Sequence, residues 1–181
     1  GAYGHIKSIS DNMMNIDKSK IVREFRNNHS DSRLLTQLNS CVHCGLCAES
    51  CIYYMATGDD RFMPARKVEL VSSLYRRTGT FAGRYFPWLT GARDLDQKML
   101  DEMTDSLFGG CTMCGRCVPH CSIGVDIAYV VQEGRAMLAD MKLVPATLQA
   151  TVDAAIRTGN NMAIPTEELV DTIEWMEEEL R

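Results

Sequence analysis

The chain has 181 residues, of which 45 % are hydrophobic, and it carries a formal net charge of −5. This length and composition suit one packed domain with appendages or two small domains, and the modest negative charge argues against a general nucleic-acid binder. Because no apolar run approaches the roughly 18 residues of a membrane span, we expect no direct membrane span.

The first 40 residues carry weak structural signals. The segments 21–28 and 31–38 each have the length of a short helix, and the preceding segment 5–20 suggests an extended arm. We therefore predict an N-terminal region of arm and short helices over residues 1–34, followed by the main domain over 35–145.

All eight cysteines lie in two stretches of eleven residues, CVHCGLCAESC at 41–51 and CTMCGRCVPHC at 111–121. Both follow the spacing C-x2-C-x2-C-x3-C, which is typical of loops that hold [4Fe–4S] clusters in bacterial ferredoxins. In two-cluster ferredoxins the fourth cysteine of each run binds the other cluster. We therefore predict two [4Fe–4S] clusters. The ligands predicted for the first cluster are Cys41, Cys44, Cys47 and Cys121, and those for the second are Cys111, Cys114, Cys117 and Cys51.

This exchange of the fourth cysteine requires the two loops to pack face to face, with the clusters close enough for electron transfer. Gly45 and Gly115 occupy the same offset in the two motifs, where glycine lets the backbone bend and bring N–H groups toward sulfur. Bacterial ferredoxins place proline after the last cysteine, whereas Ile52 and Ser122 follow it here. We expect a different exit from each loop, without loss of a ligand.

Other uses of the cysteines fit less well. Two zinc sites would need the same number of thiolates, but zinc sites usually pair one C-x2-C with a distant second pair. Disulfide frameworks scatter their cysteines, so the bunching favours metal in a reducing compartment and a cytoplasmic protein. His43 and His120 lie inside the motifs, yet four sulfurs already complete each cluster, and we expect both histidines to be near neighbours rather than ligands.

Helices are predicted between the two motifs. The segment 64–77 starts with proline and has helical apolar spacing, and 94–108 begins with Asp94 and Gln97 in capping-box register. The sequence between them, GTFAGRYFPWLTG, is rich in glycine and aromatic residues. We expect it to be a packed loop, with a partner-binding surface as the alternative.

Three further helices are predicted after the second motif, over 126–141, 145–158 and 165–180. Asp126 is the expected N-cap of the first of them. The last has an apolar stripe opposite an acidic face, which suits either a core or a seam for another subunit. No strand-like alternation is persuasive, so we predict a mainly α fold in which helices join and flank the two cysteine loops. Residues 146–181 are the predicted C-terminal helical extension.

A cysteine quartet, a helical insert, a second quartet and further helices together resemble the α-helical ferredoxin domain. The stretch GCTMCGRCVPHCSIGVDIAYVVQEGRAML at 110–138, with GARDLDQKMLDEM at 91–103, is similar to the C/D-like group of heterodisulfide reductase iron–sulfur proteins. The resemblance covers roughly residues 35 to 145. The CCG sequences that build a catalytic noncubane cluster in the B-type and D-type members do not occur in this chain. The chain therefore resembles a separate C-type subunit or an N-terminal piece of a D-type chain.

The resemblance implies an electron-transfer subunit of an oxidoreductase complex in sulfur or thiol–disulfide metabolism. Its implied partners are an A-type flavoprotein and a B-type catalytic protein with CCG domains. All eight cysteines are assigned as ligands, so we predict no catalytic residue in the chain itself. The alternatives are a structural or redox-sensing metal module, a free ferredoxin shuttle, and a fragment of a larger D-type iron–sulfur oxidoreductase.

Overall fold

The computed structural model describes residues 18–28 and 33–180, and the chain divides into two compact units between Leu143 and Val144. Every regular element in these residues is helical, so the predicted mainly α fold is confirmed. The first unit contains α1 (Lys18–Asn28), α2 (Arg33–Ser40), α3 (Ile52–Thr57), α4 (Pro64–Gly79), α5 (Phe81–Tyr85), α6 (Pro87–Thr90), α7 (Gln97–Thr104) and α8 (Ile127–Asp140). The second unit contains α9 (Ala146–Thr158) and α10 (Thr166–Glu179).

The N-terminal helices agree with the sequence where the structure describes them. Helix α1 includes the predicted segment 21–28 and packs on α4, while α2 buries Leu34 and Leu38 and packs on α4 and α8. The predicted extended arm, 5–20, lies mostly outside the described residues, and its last three residues belong to α1.

Helices α4 and α8 form the centre of the first unit and cross closely. Helix α4 begins at Pro64, as predicted, because proline at the first helical position gives up only a backbone donor that has no partner there. At Gly134 of α8, an added Cβ would lie 2.8 Å from the Leu107 side chain and 3.0 Å from the Val71 side chain. An added methyl group would therefore have to displace both side chains, and glycine avoids this displacement where the helices approach closely.

The helix predicted over 94–108 differs from the structure at both ends. It begins at Gln97 with Asp96 as its N-cap, since the Asp96 carboxylate, and not that of Asp94, accepts the Met99 N–H at 2.7 Å. After Thr104 the chain continues as one π-helical turn, Asp105–Gly109. This wider turn still buries Leu107 and delivers the chain to the second cysteine motif.

The aromatic segment between α4 and α7 does not pack as expected. It forms the two short helices α5 and α6, and their aromatic side chains point largely into solvent, with Phe81 74 % exposed and Trp88 80 % exposed. The packed-loop expectation is therefore wrong for most of these rings. Gly83 packs against the last turn of α4, where an added Cβ would lie 2.1 Å from the Arg76 carbonyl oxygen.

The second unit is a pair of helices whose limits match the predicted segments 145–158 and 165–180 to within one residue. Asn160 organises the connection: its side-chain oxygen accepts the N–H groups of Met162 and Ile164, and its amide nitrogen donates to the Ile164 carbonyl. The apolar stripe of α10 is exposed to solvent along its length. None of the described helices has both the length and the apolar character needed to cross a bilayer.

Candidate functional site: two cysteine-lined cavities

The two cysteine motifs fold into loops with the same backbone conformation. Each loop has two residues with positive φ on either side of its second cysteine: His43 at 54° and Gly45 at 83° in the first, Met113 at 56° and Gly115 at 73° in the second. Left-handed backbone is uncommon for a side chain such as that of His43 or Met113, so both loops accept the same local strain. Equal cysteine spacing therefore corresponds to equal loop geometry.

Backbone hydrogen bonds close both loops in the same way. The Ala48 N–H donates to the Gly45 carbonyl at 2.9 Å, and the Val118 N–H donates to the Gly115 carbonyl at 3.0 Å. One turn later in each motif, the N–H of the last cysteine donates to the backbone carbonyl of the residue three positions before it. The turns fix the direction of each fourth cysteine relative to the preceding three.

Backbone N–H groups also point at the sulfurs. The Met113 N–H donates to Cys111 Sγ at 3.4 Å, and the Val125 N–H donates to Cys121 Sγ at 3.3 Å. Such N–H···S bonds stabilise negative charge on sulfur and are one of the levers that set the potential of an iron–sulfur cluster.

The loops line two cavities, and each cavity receives cysteines from both motifs. One cavity is lined by Cys41, Cys44, Cys47 and Cys121. The other is lined by Cys51, Cys111, Cys114 and Cys117. Each cavity thus receives three cysteines from one motif and the last cysteine of the other.

The two cavities are immediate neighbours. Ile127, the first residue of α8, lines both of them. Across this boundary, Cys47 of the first cavity lies close enough to Cys117 of the second to act on it electrostatically. A charge in one cavity is therefore separated from the other cavity by little more than one layer of side chains.

Burial makes several of these thiols poor acids in the absence of metal. Burial raises the pKa of the Cys117 thiol to about 11, with a further contribution from Cys111, and burial also raises the pKa of Cys41 and of Cys47. Reactive cysteines have lowered pKa values, so these three thiols do not resemble nucleophiles. Metal binding overcomes such a shift because a bound cation deprotonates its thiol ligand outright.

The donor set fits an iron–sulfur cluster better than a single ion. A zinc site brings four donors to about 2.3 Å from one point, and it usually pairs one C-x2-C with a distant second pair, whereas three cysteines of each cavity come from one C-x2-C-x2-C run. The thiols instead stand around the walls of two largely apolar cavities. Cysteines spread around a cavity suit a cubane, whose four irons each bind one of them.

Contacts from outside the motifs hold the two loops together. Helix α2 leads into the first motif, and the side-chain oxygen of its Gln37 accepts the Asp126 N–H at 2.6 Å, just after the second motif. Arg33 of the same helix forms an ion pair with the Asp126 carboxylate, which also accepts the Tyr129 N–H at 3.0 Å and so caps α8. The predicted N-cap role of Asp126 is confirmed, and the same side chain connects the flanks of both motifs.

Two basic residues near the second cavity were not predicted from the sequence. Lys67 is buried and lines that cavity, and Arg135 donates to the carbonyls of Leu107 and Cys111. Each sits on a helix far along the chain from the cysteine that it approaches, so no local motif marks it. The histidines remain peripheral: His43 is exposed on the rim of the first cavity, and His120 is exposed beside Arg116 in a neighbouring surface groove.

Residues 37–125 match the family described as the 4Fe-4S dicluster domain. This match covers both motifs and the helices between them. The chain therefore carries an iron–sulfur dicluster domain, in agreement with the helical fold and the paired cysteine loops.

Among curated proteins, the chain is 36 % identical over 144 residues to the Hdr-like menaquinol oxidoreductase iron-sulfur subunit 2 of Archaeoglobus fulgidus and to the corresponding protein of Archaeoglobus profundus. It is 27 % identical over 112 residues to the D-type chain of the dihydromethanophenazine:CoB--CoM heterodisulfide reductase of Methanosarcina mazei. These alignments cover 80 % and 61 % of the chain but 26 % of each relative. The chain spans about a quarter of the length of these relatives. No solved structure matches it.

These matches confirm the resemblance found in the sequence. The chain is a heterodisulfide-reductase-like iron–sulfur protein with an α-helical dicluster domain.

Proposed function

We propose that the chain relays single electrons through two [4Fe–4S] clusters, as part of a heterodisulfide-reductase-like oxidoreductase. When bound, such clusters accept and release one electron at a time. The proposed ligands of the first cluster are Cys41, Cys44, Cys47 and Cys121, and those of the second are Cys51, Cys111, Cys114 and Cys117. The dicluster domain is proposed to span 35–145, after an N-terminal region of 1–34 and before a C-terminal extension of 146–181.

The pairing of cysteines around the two cavities carries this proposal. Each cavity takes the last cysteine of the other motif, so neither loop can complete a site alone. The shared wall at Ile127 keeps the two sites adjacent. Two neighbouring one-electron sites that share the buried Ile127 side chain suit a relay, because the surrounding helices hold their separation constant.

The partners are proposed from the relatives. The relatives are named as an iron-sulfur subunit of a menaquinol oxidoreductase and as a subunit of a heterodisulfide reductase. We propose that this chain exchanges electrons in the cytoplasm with an A-type flavoprotein and with a B-type catalytic protein that contains CCG domains, in sulfur or thiol–disulfide metabolism. The chain itself contributes no catalytic residue in this proposal.

Iron and sulfide analysis of an anaerobic preparation tests the relay. Two filled sites predict about eight irons and about eight acid-labile sulfides per chain, a brown colour, and partial bleaching with a paramagnetic signal on addition of dithionite. A colourless protein with about two zinc ions and no sulfide would instead establish a structural metal module. A protein with the full iron content that passes no electrons to its co-purified partners would establish a sensor and overturn the relay.

Isolation of the native complex tests the proposed partners. Size-exclusion chromatography of an anaerobic extract, followed by mass spectrometry of the fraction that contains this chain, should identify a flavoprotein and a CCG-domain protein with it. Elution of the chain by itself would contradict a fixed subunit and favour a free shuttle.

A further inference from the structure

Lys67 is a buried lysine that has no carboxylate partner among the residues the structure describes. Its side chain is 2 % exposed, and its Nζ donates to the backbone carbonyl of Phe62 at 2.7 Å. Within the described segments it forms no ion pair with a carboxylate. A buried ammonium is costly unless a negative charge compensates for it. The folded chain therefore places a positive charge where protein groups alone do not neutralise it.

The ammonium lies beside the cysteine that crosses into the second cavity. Cys51 Sγ is 3.5 Å from the same Phe62 carbonyl oxygen that accepts the Lys67 hydrogen bond. Lys67 Nζ is therefore no farther than about 6 Å from this sulfur, within the range over which an opposite charge acts strongly. Lys67 also lines the cavity that contains Cys51 and the first three cysteines of the second motif.

Among the described residues, Lys67 Nζ has one hydrogen-bond acceptor, the Phe62 carbonyl, so further N–H donors remain for the second cavity. Lysine has three N–H donors, and one of them is used by Phe62. When Cys51 binds iron its sulfur is a thiolate and has no proton to donate, so the Phe62 carbonyl retains Lys67 as its donor. The remaining ammonium protons are then available to sulfur, which becomes an acceptor.

The two cavities differ in the charges around them. The second has the buried Lys67 in its wall, and the exposed Arg116 lines it as well. No lysine or arginine appears among the described residues that line the first cavity. Glu69 acts electrostatically on Cys41 of the first cavity, and this carboxylate is itself paired with Arg66 at 2.6 Å. The environment of the second cavity is therefore the more positive one.

We infer that Lys67 is the counter-charge of the second cluster and raises its reduction potential above that of the first. This inference rests on the proposed two-cluster relay. Reduction adds one negative charge to a cluster, and a buried cation stabilises the reduced form more than the oxidised form. With both clusters bound, an electron shared between them would favour the second site, because the Lys67 ammonium stands beside it, and its transfer would exchange no bond and no proton.

A potentiometric titration of the intact protein, followed by electron paramagnetic resonance, tests the role of Lys67. Lys67→Met removes the charge and keeps a similar volume, and it should lower the higher of the two midpoint potentials. We expect the higher midpoint potential to fall by an amount that changes the ratio of reduced to oxidised cluster at least tenfold at a fixed ambient potential. For a one-electron couple this tenfold change corresponds to about 59 mV. The lower potential should move much less.

Three variants separate charge from structure. Lys67→Arg keeps the charge and should leave the higher potential close to that of the wild type. Lys67→Gln keeps a donor for the Phe62 carbonyl without the charge and should repeat the shift seen for Lys67→Met. Lys98→Met, the same substitution at an exposed lysine on α7, should change neither potential.

Unchanged potentials in both neutral variants would overturn the inference, as would a shift confined to the lower potential. Loss of iron in both neutral variants, with iron retained in Lys67→Arg, would assign Lys67 to cluster retention and also overturn its role in setting the potential. These results are distinct from failure of the relay itself, which would appear as absent iron or absent paramagnetic signals in the wild-type protein.

Discussion

Arg135 of α8 donates a hydrogen bond from Nη2 to the backbone carbonyl of Cys111, the first cysteine of the second motif. Its Nε donates to the carbonyl of Leu107 at 2.9 Å, and its guanidinium lies 5.1 Å from the centre of the Phe108 ring. The planar guanidinium thus bridges the π-helical turn and the start of the cysteine loop, a geometry that lysine cannot reproduce. Helix α8 thereby fixes the position from which the second loop begins.

Replacing Arg135 with methionine should destabilise the first unit and loosen the second cysteine loop. The change leaves the Leu107 and Cys111 carbonyls without their donor, at a cost of about 2–3 kcal/mol. Urea unfolding of the anaerobic protein measures the stability, and iron analysis measures retention at the second site. Arg157→Met, at an exposed arginine of α9, is the matched control and should behave as wild type. Equal stability and iron content in the two variants would show that Arg135 does not support the loop.

Gly134→Ala should be destabilising even though alanine favours a helix more than glycine does. The added methyl group would lie 2.8 Å from the Leu107 side chain of the π-helical turn and 3.0 Å from the Val71 side chain of α4. Overpacking of this kind typically costs about 1–3 kcal/mol, more than the roughly 1 kcal/mol gained from helix propensity. Thermal or urea unfolding measures the difference. Gln132→Ala, at an exposed site on the same helix, should change stability by less than about 0.5 kcal/mol, and a stabilised Gly134→Ala protein would refute the close crossing.

Glu102 bridges two arginines and should make a small, salt-sensitive contribution to stability. Its carboxylate lies 2.6 Å from Arg66 and 2.8 Å from Arg93. Partial burial by itself raises the pKa of Glu102, but the hydrogen bonds and charges of the two arginines outweigh burial and lower it. Because the groups are partly exposed, we expect Glu102→Gln to cost only about 1 kcal/mol, and less at high salt.

The sign of the Glu102 shift fixes its pH dependence. A carboxylate with a lowered pKa stabilises the fold at every pH above its unfolded pKa, and the effect is lost only as the pH falls through the lowered value. The stability difference between wild type and Glu102→Gln should therefore stay constant between about pH 8 and about pH 6. Asp101→Asn, at an exposed neighbour on α7, controls for the amide substitution. A difference that grows or shrinks across this range would contradict the assigned ion pairs.

The sequence was most informative where local chemistry decides the structure. Repeated cysteine spacing predicted two equivalent loops, Asp126 predicted a helix start, and Pro64 predicted another, because caps and first-turn prolines depend on a few neighbouring atoms. Asp94 was the wrong cap because Asp96, two residues later, offers the same chemistry. From sequence alone, propensity does not choose between two such neighbours.

Long-range placement was not visible in the sequence. In the sequence, Lys67 is one charged position of a predicted amphipathic helix. Only the folded chain shows that it is buried beside Cys51. The sequence predicts that the aromatic residues of α5 and α6 pack in a core, and only the fold shows that Trp88 remains 80 % exposed. Burial of this kind depends on which helices meet, and composition and periodicity do not determine that.

In the proposed relay the two motifs exchange their last cysteines, so that each motif completes the cluster of the other. Electron paramagnetic resonance of four reduced single variants tests this exchange. The variants are Cys44→Ser, Cys51→Ser, Cys114→Ser and Cys121→Ser. Cys51→Ser should perturb the same signal as Cys114→Ser, and Cys121→Ser should perturb the same signal as Cys44→Ser. If Cys51→Ser instead matches Cys44→Ser, each motif holds its own cluster and the interlocked relay is contradicted.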